Sequence, residues 1–427
     1  MRLTAPKALR IVLTAVTLLL GSAAAHAAVV DVKLRAVEGV TTMPDGRSVP
    51  FWGFSRYSTA TLTASTLPGP TITVGNGDTV RFTIRNDLPV PVSIMVPGQL
   101  FTPPAKILDS TAAAGLPAKS RVRSFNAEVA PGQEIAAVAT FASVKPGTYL
   151  YQSGTNPAVQ VPMGLYGALV VTSGSAGQTY PAALGKAPSA FDHEAQPVLF
   201  GEILGRYDTS LTPPAYVTLN EEVTAAPTVP RSTVDYRPIY HLINGKAFPD
   251  GNDIDVPAAV APATTSRSLL RLLNAGSRDV VPSILGNYFS IIAEDGNLLT
   301  YARQEHSPIL PAGKTLDAIL VRDTAKGFFP LFDRRLGIDN AGATLGGMMT
   351  FLGDTSCSPA KGDIVGSDGK ITYTDVLALL RAYVDGGSVA AADVWPLDAS
   401  GLPCGDGATT IMDVLLVLQK ASGRNPY

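Results

Sequence analysis

The chain is 427 residues long, 46% hydrophobic and only 16% charged, with 40 glycines and 34 prolines. A single core rarely grows past about 250–300 residues, so this length implies two or three domains. Its 33 Lys and Arg are balanced by 35 Asp and Glu, which excludes a disordered polyelectrolyte and leaves no basic excess for nucleic acid.

Residues 1–27 read as an export signal. Arg2, Lys7 and Arg10 make a positive start, Ile11 to Leu20 an apolar stretch, and Ala25-His26-Ala27 a small-x-small cleavage site. That apolar run is short for a membrane span, and no later stretch reaches the necessary length. The expectation is an exported protein, periplasmic or extracellular, with no integral membrane segment after cleavage.

From 28 to 173 the chain reads as β. Thr71 to Val74 and Val80 to Arg85 alternate apolar and polar residues, as half-buried strands do. Pro68-Gly69-Pro70 and Asn76-Gly77-Asp78 supply turns. Tyr149 to Tyr151 and Leu165 to Val171 read as further strands, the latter so continuously apolar that a central position is expected. A Gly/Ser/Ala/Pro-rich stretch, 173 to 189, leads to a second β block over 190–352. There Tyr240 to Asn244, Leu269 to Asn274, Tyr288 to Ala293 and Leu316 to Val321 are the expected strands, with turns at Asn244-Gly245, Asp250-Gly251 and Asp295-Gly296. The last block, 357–427, is an internal repeat. Asp368-Gly369 before Asp375-Val376-Leu377 recurs 38 residues on as Asp406-Gly407 before Asp413-Val414-Leu415. Each copy runs on into an apolar helical segment, Val376 to Val384 and Val414 to Leu418.

Several motifs of the first block are spaced as in a known family. Pro68-Gly69-Pro70-Thr71-Ile72, Gly77-Asp78-Thr79-Val80 and Asn86-Asp87-Leu88-Pro89 lead into Ser93-Ile94-Met95-Val96-Pro97-Gly98. Pro146 to Gly154 then precedes Gly164 to Val171. This set resembles the opening cupredoxin domain of the multicopper oxidases. In the second block, Leu242 to Asp250, Leu270 to Gly276 and Ile292 to Gly296 are similar to the family's second domain. A third cupredoxin domain, which carries the family's blue-copper site, has no counterpart here.

The resemblance also says where copper would sit. In the family the first stretch reads His-Trp-His-Gly and the second His-Ser-His, and those imidazoles hold a trinuclear cluster. Here Met95 and Pro97 occupy the first pair of positions, Gln152 and Gly154 the second. Proline and glycine bring no donor, methionine suits Cu(I) at best, and glutamine is a weak oxygen ligand. Past the signal the histidines are His193, His241 and His306, and both cysteines, Cys357 and Cys404, lie outside the β blocks. Copper is therefore not expected. A Cu(I) site of Met95 with Met163, or of Met95 with the pair Met348-Met349, is the weaker reading, since methionine more often fills cores.

The C-terminal repeat resembles dockerin-type modules, built from two EF-hand-like calcium loops each followed by a helix. The resemblance makes Asp368 and Asp406 mid-loop ligands, Gly369 and Gly407 the turn residues, and Asp375 and Asp413 the last ligands, at the helix starts. Asp363 and Asp398 are the nearest upstream carboxylates. The loops depart from the pattern at Val365, Gly366, Leu402 and Cys404, and the alternative that the aspartates only cap helices stays open. Back-to-back packing of the two halves would bring Cys357 and Cys404 together, and in an oxidising compartment a disulfide is expected.

The fold expectation is mainly β: two cupredoxin-like Greek-key sandwiches, then a small α-helical dockerin/EF-hand-like module. The functional expectation is an exported non-catalytic binding or scaffold protein that uses calcium and meets a protein or cell-envelope partner, a cohesin-like one included. The alternative is a divergent multicopper-oxidase-type oxidoreductase or copper-handling protein.

Overall fold

The computed structural model describes residues 27–58, 63–102, 107–108, 122–182, 186–203, 206–208, 212, 215–217, 219–226, 233, 236–248, 250, 253–257, 263–322, 328–337, 340, 346–353, 362–365, 370–384, 394, 403 and 410–424. The export segment 1–26, both cysteines, and Asp368, Asp398 and Asp406 lie outside these.

The first sandwich follows from alternation. In Thr79–Asn86, Val80, Phe82 and Ile84 turn inward, while Arg81 and Arg85 face out to Asp31 at 2.7 Å and Asp87 at 3.0 Å. That strand sits mid-sheet in the order Ser48–Arg56, Val29–Thr42, Thr79–Asn86, Glu134–Phe141, Phe101–Thr102. Facing it is a three-stranded sheet in which Tyr166–Thr172 lies between Gly69–Gly75 and Gly147–Gln152, the central position expected of it. Trp52, Phe54, Phe82, Phe141 and Tyr151 fill the space between the sheets, with Phe82 and Phe141 edge-on at 5.7 Å.

The second sandwich repeats the plan. Its large sheet runs Tyr240–Ile243, Val198–Ile203, Ser266–Asn274, Thr315–Arg322, Phe289–Glu294, Asn297–Glu305, with His193–Glu194 alongside Ser266–Asn274. A four-stranded sheet, Ile254–Asp255, Met349–Gly353, Phe328–Asp333, Pro282–Ile284, completes it. The Asp295-Gly296 pair makes the hairpin turn that its sequence implies, both residues at positive φ (48° and 71°). A buried asparagine ends the matching strand in each sandwich. Asn86 donates to Val90 O and Val129 O and accepts from Leu88 N. Asn274 donates to Arg278 O and Leu310 O and accepts from Gly276 N.

Tyr166–Thr172 and Ser266–Asn274 are among the strands buried along nearly their whole length. Both of their faces are covered. Leu150, Tyr166 and Ala168 on the outside of the first sandwich pack against Leu199, Leu273 and Ala275 of the second. Residues 186–191 of the intervening stretch also lie on the second sandwich, where Ala187 and Phe191 join Tyr180 against Leu269 and Ile319. A short helix, Leu219–Ala225, belongs by sequence to the second block yet inserts Leu219 and Val223 into the first core. Packing thus crosses the boundary that the composition suggests.

The seam between sandwiches holds charge. Arg271 is 1% exposed, and its Nε donates to Glu194 Oε1 at 2.7 Å. Its Nη1 donates to Thr148 Oγ1 at 2.8 Å, and the Thr148 hydroxyl in turn donates to Asp317, also 1% exposed. Tyr180 OH donates to the other oxygen of Asp317 at 2.5 Å. Burial first, then the Asp317 charge, pushes the Tyr180 phenol well above its ordinary range.

In the last block two helices, Tyr373–Val384 and Ile411–Ala421, meet through Val376, Leu379, Val414 and Val417. Each begins three residues before the apolar run that the repeat indicates.

Breaking one half of the seam network strands the other half in a dry interface. Asp317→Leu is expected to cost about 3–5 kcal/mol in urea unfolding, and the double variant Arg271→Leu/Asp317→Leu less than that single change. Simple additivity of the two costs would contradict the coupling.

Candidate functional site

Of the four residues that the resemblance assigns to copper, Met95 and Gln152 meet directly and Gly154 lies beside Met95. Met95 and Gln152 pair backbone to backbone, N–H to carbonyl at 2.8 and 2.9 Å, across the loop before the strand Gly147–Gln152 ends. Met95 and Gln152 are half-buried, Pro97 is exposed and Gly154 is buried. A Cβ on Gly154 would lie 2.9 Å from Ser93 Oγ. Ser93 is not free to yield. It belongs to a fully buried triangle of hydroxyls, Ser93 to Ser124 at 3.1 Å and Thr155 to each of them at 3.0 Å. Ser124 passes its own proton on to Asn126 O at 2.8 Å. At Gly154, one of the four positions where the resemblance places an imidazole, a side chain would press on this satisfied hydroxyl network.

The remaining donors are dispersed. His193 faces Asp255 at 3.4 Å, His241 faces Glu202 at 3.9 Å, and His306 stacks edge-on to Tyr288 with ring centres 6.3 Å apart. Met163 is packed in the first core and Met348 in the second. Among the described residues no three His, Cys, Asp or Glu side chains converge. The residues present do not fit a copper cluster.

What opens beside these positions is a cleft of about 510 Å³ between the sandwiches. Gln152, Pro157 and Val161 line it from the first sandwich, Tyr236, Ser277 and Arg278 from the second block. Glu202 stands behind the wall, 5% exposed, and accepts from Ser277 N at 3.1 Å and Ser277 Oγ at 3.0 Å. Burial, and then the Glu202 charge, raises the Tyr236 phenol well above its ordinary range. The sequence reading missed this cleft and the hydroxyl triangle. Ser93 lies in a motif that the resemblance picks out, but its partners are 31 and 62 positions away, and spacing carries no trace of them.

In the repeat, three of the six expected calcium ligands are described. Asp375 accepts on one oxygen from Ile364 N and Val365 N, and on the other from Thr372 N and Thr372 Oγ1, all at 2.8 Å. Burial raises its pKa, but the hydrogen bonds from Val365 and Thr372 outweigh that and hold the carboxyl below the ordinary range. Asp413 is held alike, by Val394 N at 2.7 Å, Thr410 N at 2.6 Å and Thr410 Oγ1 at 2.7 Å. Both carboxylates thus cap the helices that they begin. Asp363 is buried at the start of the first loop.

Forcing a ring into the closed position has a calculable effect. Gly154→His is expected to lower stability by about 1–3 kcal/mol, the usual cost of overpacking, read as an earlier urea midpoint. Unchanged stability would mean that the space is open after all.

With this geometry in place, the comparisons are specific. Residues 53–176 match the family described as multicopper oxidase. A search of curated proteins finds no match. Among solved structures, the chain is similar to a blue copper oxidase from Nitrosomonas europaea, at 18% identity and a TM-score of 0.57, over 80% of this chain and 91% of that one. It is similar to the multicopper oxidase mgLAC at 16% identity and 0.54, over 76% and 86%. A copper nitrite reductase from Nitrosomonas europaea follows at 17% and 0.50, over 76% and 94%. This chain spans most of the blue copper oxidase chain. Their common ground is the fold: a mainly β, cupredoxin-like architecture, with sequence likeness to the multicopper oxidases over residues 53–176.

Proposed function

We propose that the protein is an exported, non-catalytic binding or scaffold protein that keeps the sandwiches of the multicopper oxidases without their metal. The observation that carries this reading is the pair Ser93 and Gly154: the space for an imidazole is taken by a hydroxyl network. A fold shared by an oxidase and a nitrite reductase does not by itself fix an activity, so the reading rests on the donor set. Met95, Pro97, Gln152 and Gly154 cannot accept electrons or hold dioxygen between metals. Export rests on the basic, apolar and small-residue pattern of residues 1–27. No helix among the described residues is long and apolar enough to cross a membrane.

The C-terminal repeat is proposed as a calcium-stiffened module for a protein or cell-envelope partner, a cohesin-like one included, with Cys357 and Cys404 joined in a disulfide. Its support is the duplicated loop-helix pattern and the equivalent setting of Asp375 and Asp413. Calcium would draw on those two carboxylates together with Asp363, Asp368, Asp398 and Asp406. When bound, it would stiffen the loops. The capping bonds fill the lone pairs of Asp375, so calcium must exchange with some of them.

One elemental analysis tests both halves. Protein purified from copper-supplemented cells should carry no stoichiometric copper and oxidise no phenol, and stoichiometric copper would overturn the non-catalytic reading. Calcium at a hundredfold excess over its Kd should stabilise the module by about 2.7 kcal/mol, seen as a later thermal transition than in chelator. Free thiols titrated in the unreduced, denatured chain would rule out the disulfide.

A further inference from the structure

We infer that the cleft between the sandwiches binds a small organic monocarboxylate with an apolar body, anchored on Arg278. The argument begins with what is left over. Among the described residues the Arg278 guanidinium meets no carboxylate, although it lines a cleft of about 510 Å³. It lies near enough to Tyr236 to oppose, in part, the upward push of burial on that phenol. Its backbone is pinned, since Asn274 Nδ2 donates to Arg278 O at 2.7 Å. Glu202, behind the wall, accepts from Ser277. Across the cleft, the side-chain amide of Gln152 also has no hydrogen-bond partner among the described residues. A half-buried guanidinium and a carboxamide, both unsatisfied and facing one cavity of ligand size, are what a bound molecule would satisfy.

The same inventory selects the class of ligand. One planar, forked cation matches a carboxylate two bonds at a time. A phosphate dianion would need more positive groups, and Arg278 is the only cation among the described residues that line the cleft; three of the backbone amides there are also taken. Gly276 N donates to Asn274 Oδ1 at 2.9 Å, Ser277 N to Glu202, and Gly313 N to Asn274 O at 2.9 Å. Pro157, Val161 and Pro162 offer an apolar wall for the body of the ligand, opposite the Tyr236 ring. Gln152 can both donate to and accept from a hydroxyl or amide carried by the ligand. The site uses neither copper nor the C-terminal repeat, so it stands or falls apart from the function proposed above.

The test is calorimetric titration of the full chain with benzoate, phenylacetate and cinnamate, beside the neutral probe benzamide and inorganic phosphate. At least one acid should bind with a Kd of about 1 mM or tighter, and benzamide at least tenfold more weakly. Arg278→Gln should weaken the acid by about tenfold to a hundredfold, the scale of one charge-assisted contact. Ala158→Trp, which fills the cleft from its exposed rim, should abolish binding while circular dichroism stays native. Silence from all three acids up to about 10 mM would overturn the inference. So would binding that Arg278→Gln leaves intact, or phosphate binding as tightly as the acids. A copper-loaded preparation would sink the non-catalytic reading and leave this result as it is.

Discussion

Arg271 is the side chain on which the architecture turns. A guanidinium at 1% exposure is tolerable only if its charge is met inside the protein, and its partners come from separate parts of the chain. Glu194 follows the intervening stretch, Thr148 lies in the first sandwich, and Asp317 in the second. Their chemistry fixes how the sandwiches sit. Thr148 can bridge the two charges only because a hydroxyl accepts from one side and donates to the other. Around this polar centre the seam is apolar, with Leu150, Tyr166 and Ala168 against Leu199 and Leu273, so water has little access to weaken it.

The seam also explains why the metal positions and the cleft are neighbours. The strand Gly147–Gln152 begins at the polar centre with Thr148 and ends at Gln152, on the rim of the cleft. One element thus ties the sandwiches together and carries a residue to the place where the resemblance puts a copper ligand. The strand serves the seam whatever its last residue does, because Thr148 near its start belongs to the polar centre. The hydroxyl triangle of Ser93, Ser124 and Thr155 makes the region beside Gly154 a satisfied piece of core.

Much of this could be read from sequence where the signal is local. Val80 to Arg85 alternate and form a half-buried strand. Asp295-Gly296 demands positive φ and makes a hairpin. The meeting of Met95 with Gln152 was legible through the family likeness, since the spacing of those motifs reflects a shared fold. The rest depends on contacts between distant positions. Thr148 and Asp317 are 169 residues apart, and nothing in either neighbourhood marks it. The helix Leu219–Ala225 could not be assigned to the first core, because its apolar residues look like those of any amphipathic turn. Asp375 and Asp413 show the opposite difficulty. A carboxylate at a helix start is asked for equally by a calcium loop and by a capping box, so one pattern serves two chemistries.

Gly296 lies at positive φ in the hairpin of the second sandwich, where a Cβ would fall 2.1 Å from Tyr149 OH, and a Cβ on Gly147 would fall 2.6 Å from the Gly296 Cα. The two halves therefore approach closely at this point, Gly147 against the Gly296 backbone and Gly296 against the Tyr149 ring. The approach is closer than any side chain allows, so a substitution at either glycine would prise the two sandwiches apart at this corner of the seam.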